Sequence, residues 1–354
     1  MKICYLTDNI DSSHGEGRYA GDLISSVKKS GHEVVILKER NDGLEGHSIL
    51  KSELGLFIAA FKARKYIKNC DVIHALDGYP YGIIAALANL GLKKRLIITM
   101  QGTHTIASLY SFPINILIKW AYKKADKIIS ISRYTREEFK KKFDIKNIEI
   151  INHGIDFEKF YKTPINSQND FILSVGALKF RKGYHISIPA FAQAKKELPD
   201  LKYKIIGSQK DISYFDELKN LAAQHGVNKD IEFLTGLSDK KLSDFYGRAK
   251  LFILTSVNEN HHFEGFGLVF LEAAAAGLPV IGTLNNGIED AVKNGFNGIL
   301  IPQSDIKATT EALLKILWDE QLRKKLSFNS FSWAKDHDWN KICPRYIRAY
   351  QSPA

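Results

Sequence analysis

Cysteine is scarce in this chain, and long apolar runs, short-period repeats and low-complexity tracts are absent. Three cysteines (Cys4, Cys70, Cys343) in 354 residues, an odd number with no C-x-x-C spacing, make neither a disulfide framework nor a zinc site. A reducing cytoplasm is the expected compartment. The opening Met1-Lys2-Ile3-Cys4-Tyr5-Leu6 is apolar for too few residues before Asp8 and Asp11 to act as a signal peptide. One window, 96–118, runs 23 residues without a charged side chain. Gln101, Gly102, His104, Ser108, Pro113 and Asn115 interrupt it, so no membrane-spanning helix is expected.

What is present is an ordinary globular composition, 45% apolar and 25% charged, at a length that suggests two domains. The net charge of +11 is uneven. Residues 1–165 hold 26 basic and 18 acidic side chains, so an anionic partner is sought there first.

Short β-type runs alternate with longer helical runs. Strands are expected at 2–7, 33–38, 71–76, 95–100, 127–132 and 148–152, with helices such as 18–30, 52–68 and 133–143 between them. The alternation pauses over 156–170, where Pro164, Asn166, Ser167 and Asn169 fall. It restarts with strands at 171–177, 203–208, 231–235, 251–256, 279–283 and 298–302. Near-continuous apolar strands with helices between them predict parallel sheets covered on both faces. The fold class is therefore α/β with two doubly wound domains, 1–160 and 161–337, and a last helix near 338–354 expected to pack back on the first. In such sheets ligands sit at the carboxyl ends of strands, so the polar residues just after each strand carry the chemistry.

The strongest segment is Glu264-Gly265-Phe266-Gly267-Leu268 through Glu272, between strand 251–256 and strand 279–283. A helix beginning near Gly267 and ending at Gly277 is expected. Its first-turn N–H groups, near Phe266, Gly267 and Leu268, suit a diphosphate, and the glycines admit close backbone approach. Glu264 and Glu272, on either side of that helix start, suit hydroxyls at the two ends of an elongated ligand. A surface helix with an acidic first turn is the simpler alternative.

This segment resembles the E-x7-E signature of retaining GT-B glycosyltransferases of family 4. Other stretches agree in order and spacing: Gly15-Glu16-Gly17, Gln101-Gly102-Thr103-His104, Asn152-His153-Gly154-Ile155-Asp156, Val175-Gly176-Ala177-Leu178 with Arg181-Lys182-Gly183, then Gly207 and Gly236-Leu237. The resemblance implies two Rossmann-like domains facing across a cleft, and transfer of a sugar from a UDP- or GDP-sugar to a hydroxyl of a glycan or lipid-linked acceptor. It implies that Lys182 neutralises the leaving diphosphate, that Glu264 binds sugar hydroxyls and Glu272 the ribose, and that His104 faces the reacting carbon. Gly236 and Leu237 lie toward the base. Asp8, Gly15 and Gly17 line the acceptor side. No cofactor and no metal are expected to be required. The family commonly has arginine where Ala177 stands, and Arg181 is the candidate substitute. With no carboxylate evident beside His104, a front-face route is expected. A GT-B-like phosphorylase or sugar-nucleotide epimerase would share this architecture. A non-catalytic nucleotide-sugar-binding scaffold is a further alternative, against which the intact Glu264, Glu272, Lys182 and His104 argue and for which Ala177 speaks.

Residues 107–146 carry ten basic and four acidic side chains after a run rich in aromatics. They suit peripheral contact with an anionic membrane, or else a core helix with a solvated lysine face. No nucleic-acid recognition motif is present. His261-His262 reads as loop, and Asp336-His337-Asp338 as structural.

Overall fold

The computed structural model describes residues 1–12, 15–39, 41, 43–50, 55–161 and 171–352. The pausing residues Pro164, Asn166, Ser167 and Asn169 lie outside them. The chain divides into two units, Met1–Gly154 with Asp338–Ala354, and Ile155–His337. The first crossing thus falls ahead of residue 160. The short helix Phe157–Phe160 packs on helices Asp239–Arg248 and Leu268–Ala275 of the second unit, which draws it there.

The first unit holds β1 (Lys2–Thr7), β2 (Glu33–Lys38), β3 (His47–Ser48), β4 (Val72–Ala75), β5 (Arg95–Met100), β6 (Lys127–Ser130) and β7 (Ile148–Ile150). Their order is β3-β2-β1-β4-β5-β6-β7, all parallel. β3 has no counterpart in the sequence reading, because two residues carry no periodicity. The second unit holds β8 (Phe171–Val175), β9 (Lys202–Ile206), β10 (Ile231–Leu234), β11 (Leu251–Ile253), β12 (Val280–Thr283) and β13 (Gly298–Ile301). Their order is β10-β9-β8-β11-β12-β13, again parallel. Strand order reverses between β1 and β4 in one sheet and between β8 and β11 in the other, the crevices where doubly wound sheets bind ligands. Among the described residues no helix is long and apolar enough to cross a membrane.

The terminal helix Trp339–Gln351 packs on the first helix, Gly15–Lys29, and completes the core of the first unit. Trp339, Ile342, Cys343, Tyr346 and Tyr350 are buried there with Tyr5, Tyr19 and Leu23. The tyrosine hydroxyls find partners. Tyr350 Oη lies 2.9 Å from both Tyr5 Oη and His74 Nδ1, His74 Nε2 2.8 Å from Thr99 Oγ1, and Tyr346 Oη 3.0 Å from Tyr19 Oη. Burial pushes the His74 pKa down to about 3, so the ring is neutral and each nitrogen serves one hydroxyl. Arg95 clamps the helix end by donating to the Ala349 carbonyl, at 3.0 Å from Nη2.

Packing should outweigh hydrogen bonding in holding this helix. Trp339→Ala is expected to cost about 3–5 kcal/mol and Tyr346→Phe about 1 kcal/mol in urea melts. Equal losses would mean that the hydroxyl pairs, not the buried rings, anchor the chain end.

Candidate functional site

In the second unit the segment after β11 and the turn after β8 are stitched together by backbone. Val257 N–H donates to the Arg181 carbonyl at 2.9 Å, and Thr255 Oγ1 donates to the Gly183 carbonyl at 2.6 Å. Gly183 has φ 71°, and a Cβ there would stand 1.8 Å from the Thr255 carbonyl oxygen, so only glycine lets the two segments touch. The 264–265 segment is stitched in turn to 287: Gly287 N–H donates to the Glu264 carbonyl at 2.8 Å, and a Cβ on Gly287 would meet Gly265 O at 1.9 Å.

These approaches converge three side chains. Glu264 Oε2 accepts from Lys182 Nζ at 2.5 Å, Arg181 Nη1 at 3.2 Å and Ser256 Oγ at 3.4 Å. Lys182 is buried, and desolvation holds its pKa below the ordinary lysine value despite the neighbouring carboxylate. Burial alone would push Glu264 up. Lys182 first, and Arg181 with it, outweigh that and hold the carboxyl at about 2. At the pH values where lysine is protonated the trio carries a net positive charge.

Gly267, with φ 82°, caps the helix Leu268–Ala275, and Gly277 lies just past its end with φ 77°. Phe266 is buried, and Leu268 opens the helix. Glu272 is buried in the second turn and accepts from Tyr246 Oη at 2.9 Å. Gly236 and Leu237 follow the edge strand β10, away from the β8/β11 switch point, with Ser238 capping the next helix. The Gly207 N–H donates to the Leu234 carbonyl at 2.9 Å.

In the first unit Gly15 and Gly17 belong to the first turn of the helix Gly15–Lys29, where the sequence places them in a loop ahead of it. Gly17 lies against Asn9 and Asp11, while nothing crowds Gly15. Asp8 accepts from Asn9 Nδ2 at 2.8 Å. His104 stands in the short helix Thr103–Ser108, its side chain 69% exposed and its Nε2 3.7 Å from Glu16 Oε1. The expectation that no carboxylate lies beside His104 is therefore corrected: folding the first turn of the helix after β1 against the end of β5 brings Glu16 there. A second carboxyl, Asp77, lies close enough for Glu16 and His104 both to affect its charge. His261 and His262 lie in a loop where Glu259 and His262 bridge backbone to backbone. Asp338 caps the terminal helix, accepting from Asn340 N–H at 2.8 Å.

Two parallel, doubly wound units with a charged helix start at one switch point is the GT-B architecture, and comparison with known proteins agrees. Residues 156–333 match the family "Glycosyl transferases group 1" and residues 14–159 match "Glycosyltransferase Family 4". The chain belongs to the glycosyl transferases group 1 family. An uncharacterized glycosyltransferase of Methanocaldococcus jannaschii is 28% identical over 301 residues, 84% of this chain and 81% of that one. A GDP-mannose-dependent phosphatidylinositol monomannoside mannosyltransferase of Mycolicibacterium smegmatis is 22% identical over 347 residues, 90% of this chain and 88% of its own. Anabaena HepE, solved with UDP, superposes with a TM-score of 0.83 at 20% identity, covering 99% of this chain and all of that one.

Several polar residues of these glycosyltransferase switch points escape a motif reading: Ser256, Tyr246, Asp77 and Thr105. Asp77 and Ser256 had a signal, since each falls within or just past the end of an expected strand. Tyr246 and Thr105 had none, because both reach their partners from helices.

The ionised Glu264 stabilises the fold above its unfolded value of 4.5, and that stability is lost as pH falls toward 2. Glu264→Gln, which leaves Lys182 buried without a counter-charge, should cost about 3–5 kcal/mol near neutrality. The gap in melting temperature between wild type and Glu264→Gln should narrow as pH drops from about 6 to about 3. A gap that stays constant would show that the ion pair contributes nothing.

Proposed function

We propose that this glycosyltransferase moves a sugar from a nucleotide-diphosphate sugar to a hydroxyl acceptor with retention at the anomeric carbon and without a metal. The observation that carries the reading is the buried Lys182–Glu264 pair, joined by Arg181, beside the Gly267-capped helix start that precedes Glu272. As the glycosidic bond breaks, negative charge accumulates on the departing diphosphate. Lys182, Arg181 and the amides near Phe266, Gly267 and Leu268 at the helix start stabilise it without reorganising. Glu264 holds sugar hydroxyls, and Glu272, steadied by Tyr246, takes the ribose. The first unit takes the acceptor, with Asp8 and the Gly15–Gly17 turn at its β1 end and His104 donating a hydrogen bond at the reacting carbon. UDP and GDP are the favoured donor nucleotides: HepE is solved with UDP and with UDP-glucose, and the mycobacterial relative is named for GDP-mannose.

In a front-face route the departing phosphate oxygen takes the acceptor proton, and the enzyme positions the reactants and stabilises charge. Glu16 makes a double displacement the alternative, since it offers a carboxylate beside His104. The acceptor is a glycan or lipid-linked hydroxyl in glycan, polysaccharide or glycolipid synthesis. Peripheral contact with anionic lipid through 107–146 suits it: Phe112 and Ile116 are 81% and 58% exposed in that lysine-rich stretch.

Thermal shift with UDP, GDP, ADP and CDP, with and without magnesium, tests the donor reading. One nucleotide should stabilise the wild type with or without magnesium and fail to stabilise Glu272→Ala; no shift with any of them would sink it. With donor and acceptor in hand, His104→Ala should lower turnover by on the order of 10²–10³, and the product anomer read by NMR should match the donor's. Glu16→Gln should cost less than about tenfold. A far larger loss with a trapped glycosyl-enzyme would replace the front-face route by double displacement.

A further inference from the structure

Asp77 is a buried carboxyl that the reading above gives no task. It follows β4 at the switch point of the first sheet. Its Oδ1 accepts from Gly78 N–H at 2.6 Å and from Thr105 Oγ1 at 2.5 Å. The Thr105 hydroxyl, fully buried, itself accepts from Gln101 N–H at 3.3 Å. A relay therefore runs from the end of β5 through Thr105 to Asp77, and it brackets His104. Gly102, inside the bracket, has φ 98° and ψ −119°.

The helix that carries His104 spans only Thr103–Ser108. So short a helix gains little from its own hydrogen bonds and takes its shape from what holds it. His104 itself is mostly exposed, and its ion-pair contact with Glu16, at 3.7 Å, fixes no direction for the ring. Its neighbour Thr105 is the residue that is tied down.

The carboxyl is expensive where it stands. Burial pushes it up to about 7; Thr105 works against that, Glu16 adds to it, and His104 and the Gly78 amide oppose it. Tyr81 on the same turn and Tyr122 from the helix Ile114–Lys124 also face it, and the charge of Asp77 acts on both phenols. An apolar side chain would fill the space at lower cost, but it would release Thr105.

We propose that Asp77 is a positioning residue for the transfer reaction, holding the 101–105 turn through Thr105 so that His104 is presented to the reacting centre. This rests on the role given to His104 above. Asp77 touches no substrate in it; the whole effect passes through Thr105.

The test is steady-state kinetics of Asp77→Ala, Thr105→Val, their double variant, Asp77→Asn and His104→Ala, with nucleotide thermal shift as a separate readout of donor binding. Asp77→Ala and Thr105→Val should each lower kcat about ten- to a hundredfold, while the donor KM and the nucleotide shift stay at wild-type values. The double variant should fall no further than either single, because both cut the same link. Asp77→Asn keeps an oxygen that accepts from Thr105 and Gly78, so it should recover kcat to within about threefold. Thr105→Val is nearly isosteric and carries the test if Asp77→Ala does not fold. Wild-type kcat in Asp77→Ala and Thr105→Val, or additive losses in the double variant, would overturn the proposal while an impaired His104→Ala left the wider reading standing. Full turnover in His104→Ala would sink that reading and the proposal together.

Discussion

Keeping a lysine and a glutamate ionised out of water is the constraint around which the ligand end of the second unit is built. Lys182 and Glu264 lose hydration together, and only close contact returns the energy. Contact demands that the turn after β8 and the segment after β11 approach to backbone distance. This explains why Gly183 meets Thr255 and Gly287 meets Gly265 with no room for a side chain. An apolar pair of equal volume would hold the same strands at less electrostatic cost. On the proposed reading, the charges act when a ligand arrives. A cation already held by protein dipoles needs no reorganisation to meet a diphosphate, which is the property that makes fixed charge effective in a reaction.

The first unit solves a different problem with neutral groups. Its chain end returns as a helix carrying Trp339, Tyr346 and Tyr350, whose bulk fills the core and whose hydroxyls must not be stranded there. Pairing tyrosine with tyrosine, and bridging to Thr99 through a neutral His74, satisfies them without burying an ion. The second unit pairs neutral hydroxyls too, at Ser174, Tyr203 and Ser187. Its buried carboxyl Glu272 sits in a helix, whereas Asp77 and Glu264 stand in the segments that follow β4 and β11.

Local features were legible in the sequence and distant partners were not. Parallel strands buried on both faces read as apolar runs, so all twelve expected segments stand where strands form, their ends within three residues of the expected ones. Among the described residues, β3, two residues long, is the strand that left no trace. The Glu264–Glu272 spacing, Gly267 and Gly277 were readable because helix starts and stops depend on local backbone chemistry. The partners were not. Ser256 reaches Glu264 across a loop, Tyr246 reaches Glu272 from a preceding helix, and Thr105 reaches Asp77 across 28 positions. A distance along the chain carries no sign of such contacts. The same limit misplaced Gly15–Gly17, whose glycines read as a loop although the helix already includes them, and hid Glu16 beside His104.

On the proposed reading, Arg181 answers the arginine missing at Ala177 from elsewhere in the same site. The strand end offers no guanidinium there, yet the backbone of Arg181 is fixed by Val257 and its Nη1 lies 3.2 Å from the oxygen that also receives Lys182. The second cation arrives from the turn instead of the strand. Arg181 shares the Glu264 carboxylate with Lys182, so part of its field is already spent on a fixed anion. Glu264 remains ionised down to about pH 2, so acidification cannot free the guanidinium within any range where the protein would work. Two cations on one ionised carboxylate hold a smaller positive charge for as long as Lys182 is protonated, and on the proposed reading that residue of charge is what the second unit offers to the diphosphate.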